Sequence, residues 1–139
     1  MEGIAFANAL LVAADEVREN AYAPYSHYAV GAALLGKNGQ VYTGCNVESI
    51  AYPAGVCAER MALGAAVADG CREFVMLAVS GGPQGLPPAP SCTPCGVCRQ
   101  LLAEFAPLTV VTRGEEGQVH LFTMQELLPA SFSAEDLQA

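Results

Sequence analysis

The chain has 139 residues, enough for one domain with one closed core, here taken as residues 1–139. Apolar residues make up 53% and charged residues only 14%, so part of the surface is expected to be buried against copies of the same chain. The net charge of −8, with six Lys and Arg in all, provides no basic stripe for following a nucleic-acid backbone and disfavours a nucleic-acid polymer as partner.

In chain order, Ile4, Ala7, Leu10, Leu11, Ala14 and Val17 recur at helical spacing and predict a first helix over 3–20. The run Ile4 to Ala14 has no basic flank and meets Asp15 and Glu16, so it does not read as a secretory signal. No stretch is long enough to span a membrane, and the cytoplasm is the expected compartment. Tyr22-Ala23-Pro24-Tyr25-Ser26 breaks the helix. Strands follow over 28–36 and 40–45, joined through Lys37-Asn38-Gly39-Gln40, whose Asn-Gly pair signals a hairpin. A loop carrying Asn46, Glu48, Tyr52 and Pro53 leads to a helix from about Cys57 to Asp69-Gly70.

Phe74–Ser80 is a continuous apolar strand, and 81–93, rich in Gly and Pro, is the longest loop. Pro94 suits the first turn of a third helix that stops before Pro107. Leu108–Thr112 and Val119–Thr123 are strands. Thr123-Met124-Gln125-Glu126 is a capping box for a short helix that Pro129 closes. The order αββαβαβ(β)α predicts an α/β fold: a three-layer α-β-α sandwich, its mixed sheet of about five strands covered by helices on both faces. Ligands then collect at the carboxyl ends of strands, where helix N-termini point.

Two segments carry chemistry, and both lie at predicted helix starts. Cys57-Ala58-Glu59-Arg60 sets a thiol and a carboxylate two residues apart, and Pro94-Cys95-Gly96-Val97-Cys98 sets two thiols three apart. Three thiolates can hold zinc with the fourth position left to water, the arrangement of catalytic rather than structural sites. Cys57, Cys95 and Cys98 are the candidate ligands, Glu59 the proton carrier, and Arg60 a donor to the ligand sulfurs. Helix N-termini help ionise the thiols. A first Cys or His ligand, a Glu that does not bind the metal, and P-C-x-x-C together form the signature of zinc deaminases acting on nucleobases.

Other readings stay open on the sequence. Cys95-Gly96-Val97-Cys98 also matches a redox C-x-x-C at a helix start. Cys45 or Cys92 could be a fourth ligand and close a structural site, making the chain a non-catalytic zinc module. Cys71 reads as a small apolar filler, and His27 and His120 as bystanders.

Beyond the motifs, nearly the whole chain resembles the small, homotetrameric cytidine deaminases. The resemblance runs through Tyr22-Ala23-Pro24-Tyr25-Ser26-His27-Tyr28, Val30-Gly31-Ala32-Ala33, Gly44-Cys45-Asn46-Val47-Glu48, both cysteine motifs and Leu127-Leu128-Pro129. It implies the cytidine deaminase-like fold, one zinc ion per subunit and a small nucleoside substrate. Asn46 and Glu48 would bind the ribose hydroxyls, Tyr28 would lie against the pyrimidine, and the Ala58 backbone N–H would meet its carbonyl oxygen. Tyr52 and Phe132 would complete a neighbouring subunit's pocket, so that sites are shared within a homotetramer. Tyr28, Met61 and Ile50 depart from the family's usual Phe, Thr and small residue. A deaminase of the same fold acting on another amino-heterocycle, such as blasticidin S, is the alternative enzyme.

Overall fold

The computed structural model describes residues 2–137. Helix α1 (Glu2–Arg18) buries Ala7, Leu10, Leu11 and Ala14 on one stripe, the spacing read from the sequence. It ends two residues short of the predicted 20, because the chain turns to lie beside residues 46–48. There the Tyr22 N–H donates to the Asn46 carbonyl and the Glu48 N–H to the Tyr22 carbonyl, both at 2.9 Å.

Strands β1 (Tyr28–Gly36) and β2 (Val41–Cys45) form the expected antiparallel hairpin, closed by the Gly36 N–H to the Gln40 carbonyl at 2.9 Å. Strand β3 (Phe74–Pro83) pairs antiparallel with the other edge of β1, and Tyr28 stands opposite Pro83. It runs three residues past the predicted end at Ser80. The first residues of β1 still offer partners there, and Gly81 and Gly82 let the next loop approach, the Ala89 N–H reaching the Gly81 carbonyl at 2.7 Å. Strand β4 (Thr109–Arg113) is parallel to β3, and β5 (Val119–Thr123) is antiparallel to β4. The sheet order is β2-β1-β3-β4-β5, the mixed five-stranded sheet the sequence predicts.

Helices cover both faces. On one, α1 packs against Ala33, Met76, Ala78 and Val111. On the other lie α2 (Ala58–Ala68), α3 (Gly96–Ala103) and the short α4 (Met124–Leu127), over Ala32, Leu34, Leu77, Val79 and Val110. Successive strand residues point to opposite faces, so strands buried on both sides read as unbroken apolar runs, as at Phe74–Ser80. Each fully buried side chain such as Leu34, Leu77 or Leu102 contributes about 1.5–3 kcal/mol. The predicted capping box is present: Thr123 Oγ1 accepts from the Glu126 N–H at 3.1 Å and Glu126 Oε1 accepts from the Thr123 N–H at 2.9 Å. No described helix is long and apolar enough to cross a membrane.

One close approach fixes where α2 begins. A Cβ on Gly44 would lie 2.5 Å from the Ala62 nitrogen and 2.6 Å from the Ala58 oxygen, so the helix rests directly on the backbone of β2. A side chain at position 44 would lift α2, and the residues at its start, off the sheet.

Candidate metal centre and catalytic cavity

Cys57 and Cys95 occupy the N-cap positions of α2 and α3, both in extended backbone (ψ 154 and 170), and Cys98 stands in the first turn of α3. The sulfurs at these two helix starts converge. Cys57 Sγ lies 3.6 Å from Cys95 Sγ, which lies 3.7 Å from Cys98 Sγ, and all three fall within 4.8 Å of one another. Sulfurs about 2.3 Å from a tetrahedral zinc ion would be about 3.8 Å apart, so the cluster already has the spacing the ion requires. Soft thiolates select zinc over magnesium or manganese. Among the described residues, no fourth Cys, His, Asp or Glu joins the group: Cys45 and Cys92 both stand outside it. The closed structural site considered from sequence does not form.

Burial pushes the Cys57 and Cys98 thiols up. At Cys95 burial acts in the same direction but is outweighed by the backbone N–H of Cys98 and by the Cys57 thiol, leaving Cys95 below its ordinary range. Metal binding must therefore displace protons from at least the first two. Arg60 lies beside the sulfurs, with Nη2 4.0 Å from Cys57 Sγ and 3.5 Å from the Gly55 carbonyl. Its buried Nε has no acceptor among the described residues, and a neighbouring thiolate is the kind of acceptor it lacks.

Glu59 follows directly from the α2 start and is only 4% exposed. Burial pushes its carboxyl above the ordinary 4.5, opposed by its own backbone N–H and by the charge of Arg60. It lines a cavity of about 300 Å³ together with Cys57, Ala58, Cys95, Tyr28, Asn46 and Cys92. Six of the expected site residues on four separate segments thus meet in one place: Tyr28, Asn46, Cys57, Ala58, Glu59 and Cys95. Ala58 presents one of the N–H groups left without a helical acceptor at a helix start.

Asn46 and Glu48 part company. Asn46 stays at the cavity, where its Oδ1 accepts from the Val30 N–H at 2.8 Å and its Nδ2 donates to the Tyr28 carbonyl at 2.9 Å. Each end of its amide keeps one further hydrogen-bonding site. Glu48 faces a neighbouring hollow of about 290 Å³ with Tyr25, Ser26, Ser49 and Tyr52. There its Oε1 accepts from the backbone N–H of Tyr25 (3.0 Å) and Ser26 (3.1 Å), and its Oε2 from the Ser26 hydroxyl. Within one chain Tyr52 and Phe132 do not line the cavity that holds Glu59; they are 72% and 60% exposed.

Residues 5–113 match the family model for the cytidine and deoxycytidylate deaminase zinc-binding region. The chain belongs to this deaminase family. A cytidine deaminase of Sporosarcina psychrophila is 44% identical over 130 residues, 92% of each chain. The crystal structure of cytidine deaminase from Burkholderia pseudomallei superposes with a TM-score of 0.80 at 43% identity, covering 90% of this chain and 98% of that one. A blasticidin-S deaminase of Bacillus cereus is similar at the lower level of 31%, over 75% of this chain and 76% of its own.

The deaminase scaffold also contains residues that sequence reasoning passed over. Arg18, 5% exposed, donates from Nε to the Ala29 carbonyl (3.0 Å) and from Nη2 to the Pro83 carbonyl (2.9 Å), tying together the strand ends that carry Tyr28. Arg99 holds the approach to Cys95, donating to the Pro94 carbonyl (2.7 Å), the Leu127 carbonyl (2.7 Å) and Thr93 Oγ1 (3.1 Å). Adjacency to the second cysteine motif was the available signal for Arg99. Arg18 had none.

Proposed function

We propose that this chain, as a single domain, deaminates cytidine and deoxycytidine hydrolytically, giving uridine or deoxyuridine and ammonia in pyrimidine salvage. The observation that carries this reading is the burial of Glu59 in one cavity with the Cys57–Cys95–Cys98 cluster. Cys57, Cys95 and Cys98 would hold a zinc ion, which would lower the pKa of a bound water toward about 7. Glu59 takes a proton from the attacking water and delivers it to ring nitrogen N3, making C4 electrophilic. It then carries a second proton to the amino group, which leaves as ammonia. The raised affinity of its buried carboxyl for protons suits a group that must hold one between the two transfers.

The remaining roles are positional. The ring lies beside Tyr28, with its carbonyl oxygen at the Ala58 N–H, and the sugar reaches Asn46 and, next to it, Glu48. Binding energy from the sugar, which does not react, then serves the chemical step, and free cytosine is a far poorer substrate than cytidine. Chains assemble as a homotetramer in which Tyr52 and Phe132 complete neighbouring sites; the exposure of both, together with Val97 and Leu101, supports burial against further copies. The free cysteines fit a reducing cytoplasm. The test measures zinc content and ammonia release from cytidine, cytosine and blasticidin S. One zinc per chain with turnover of cytidine is expected. A zinc-loaded protein that releases ammonia from blasticidin S and not from cytidine refutes the assignment.

A further inference from the structure

Cys92 lines the catalytic cavity but stands outside the thiol cluster, and no step above uses it. Its sulfur sits where a side chain is missing. A Cβ on Gly81 would lie 2.4 Å from Cys92 Sγ, 3.1 Å from Val30 Cγ2 and 3.3 Å from Tyr28 Cε2. The thiol, a valine methyl and the edge of the tyrosine ring therefore meet over the α-carbon of Gly81 and make one stretch of cavity wall.

That wall cannot easily retreat. The segment bearing the thiol is held on both sides, by the Ala89 N–H on the Gly81 carbonyl (2.7 Å), the Ser91 N–H on the Arg113 carbonyl (2.7 Å) and Arg99 Nη2 on Thr93 Oγ1 (3.1 Å). Burial pushes the Cys92 thiol up and the Tyr28 phenol up to about 12, so both sides of the wall are uncharged near neutral pH. The wall acts by shape.

The reaction orients the ring against it. C4 must face the three thiols and N3 must face Glu59 on α2. C5 is bonded to C4 on the side away from N3, so it turns from α2, and the cavity wall outside α2 and the thiol cluster is made by Tyr28, Val30, Asn46 and the segment Ser91–Thr93. We infer that Cys92 is a specificity-determining residue, whose small side chain seated on Gly81 leaves room at C5 for pyrimidine nucleosides carrying a methyl group there. The inference rests on the deaminase reading above.

The test compares kcat/KM for cytidine and 5-methylcytidine in the wild-type protein, Cys92→Ala and Cys92→Val, with zinc content measured for each. Val adds a second branch at Cβ beside the one seated on Gly81, and so puts one more methyl group on a residue of the cavity wall. The wild-type protein is expected to deaminate both nucleosides. Cys92→Val should lower the 5-methylcytidine-to-cytidine ratio about tenfold or more, the range of one methyl group in a confined pocket, while Cys92→Ala keeps or raises it. A ratio unchanged in Cys92→Val, equal losses on both substrates, or no turnover of 5-methylcytidine by either the wild-type protein or Cys92→Ala overturns the inference. Failure of the deaminase reading looks different: zinc-loaded wild-type protein would then release no ammonia from cytidine.

Discussion

Replacing Glu59 by Gln keeps the volume and the helical backbone and removes only the capacity to carry a proton. The cavity holds no substitute. Its other ionisable groups outside the metal cluster are Tyr28, pushed up to about 12, and Cys92, raised by burial, and neither exchanges protons readily near neutral pH. Glu59 is 4% exposed, so bulk water does not easily take over its place. One positioned acid–base group is worth about 10²–10⁴-fold, and here a single group serves two transfers, which puts the loss in kcat at about 10³–10⁴-fold. At about 1.36 kcal/mol per tenfold, this is about 4–5.5 kcal/mol of barrier. The assay follows ammonia release under saturating cytidine, with bound zinc measured on the same samples. Zinc should remain at one per chain, because the carboxyl is not among the clustered ligands. A variant retaining full zinc and turning over within tenfold of wild type would remove Glu59 from the mechanism.

Other expectations are as direct. Cys98→Ala should lose zinc, whereas Cys45→Ser combined with Cys92→Ser should retain it by atomic absorption, since neither sulfur joins the cluster; loss of zinc in the double variant would mean a fourth ligand. Asp15→Asn breaks the two-pronged pair with Arg113 (2.7 and 2.6 Å) that also takes the Ser80 hydroxyl at 2.6 Å. Partial exposure places its cost between those of surface and buried pairs, about 2 kcal/mol, read as a fall of several degrees in Tm, and an unchanged Tm would contradict it. Hydrogen bonds from Ser26 and Tyr25 hold the Glu48 carboxyl below its ordinary 4.5. A depressed folded-state pKa gives stability that is present above about pH 4.5 and lost as pH falls through the lower folded value. Glu48→Gln should therefore flatten that acid limb in urea unfolding, and curves that stay parallel to wild type down to about pH 3 would refute the link.

What the sequence determined by itself was local. Thiol spacing, a carboxylate two residues past a cysteine, helix starts at both motifs, the Thr123–Glu126 box and the hairpin at Asn38-Gly39 are each complete within a few residues, so they can be read without knowing the rest of the chain. Strand boundaries were legible where burial on both faces leaves an unbroken apolar run, and less so at Gly81–Pro83, where pairing depends on how far β1 extends. Neighbouring residues with the same expected role were separated by the fold: Asn46 clamps the start of β1 at the cavity, while Glu48 turns to the Tyr25–Ser26 backbone. Tertiary structure alone decided that β1 lies between β2 and β3, that Arg18 ties Ala29 to Pro83, and that Asp15 pairs with Arg113. Those partners stand up to 98 positions apart, and a lone Arg or Asp carries no mark of the distant group it will meet. The physical reason is that side-chain periodicity is imposed by the chain's own repeating backbone, whereas the wall of a cavity is made where separate segments are pressed together by a shared core.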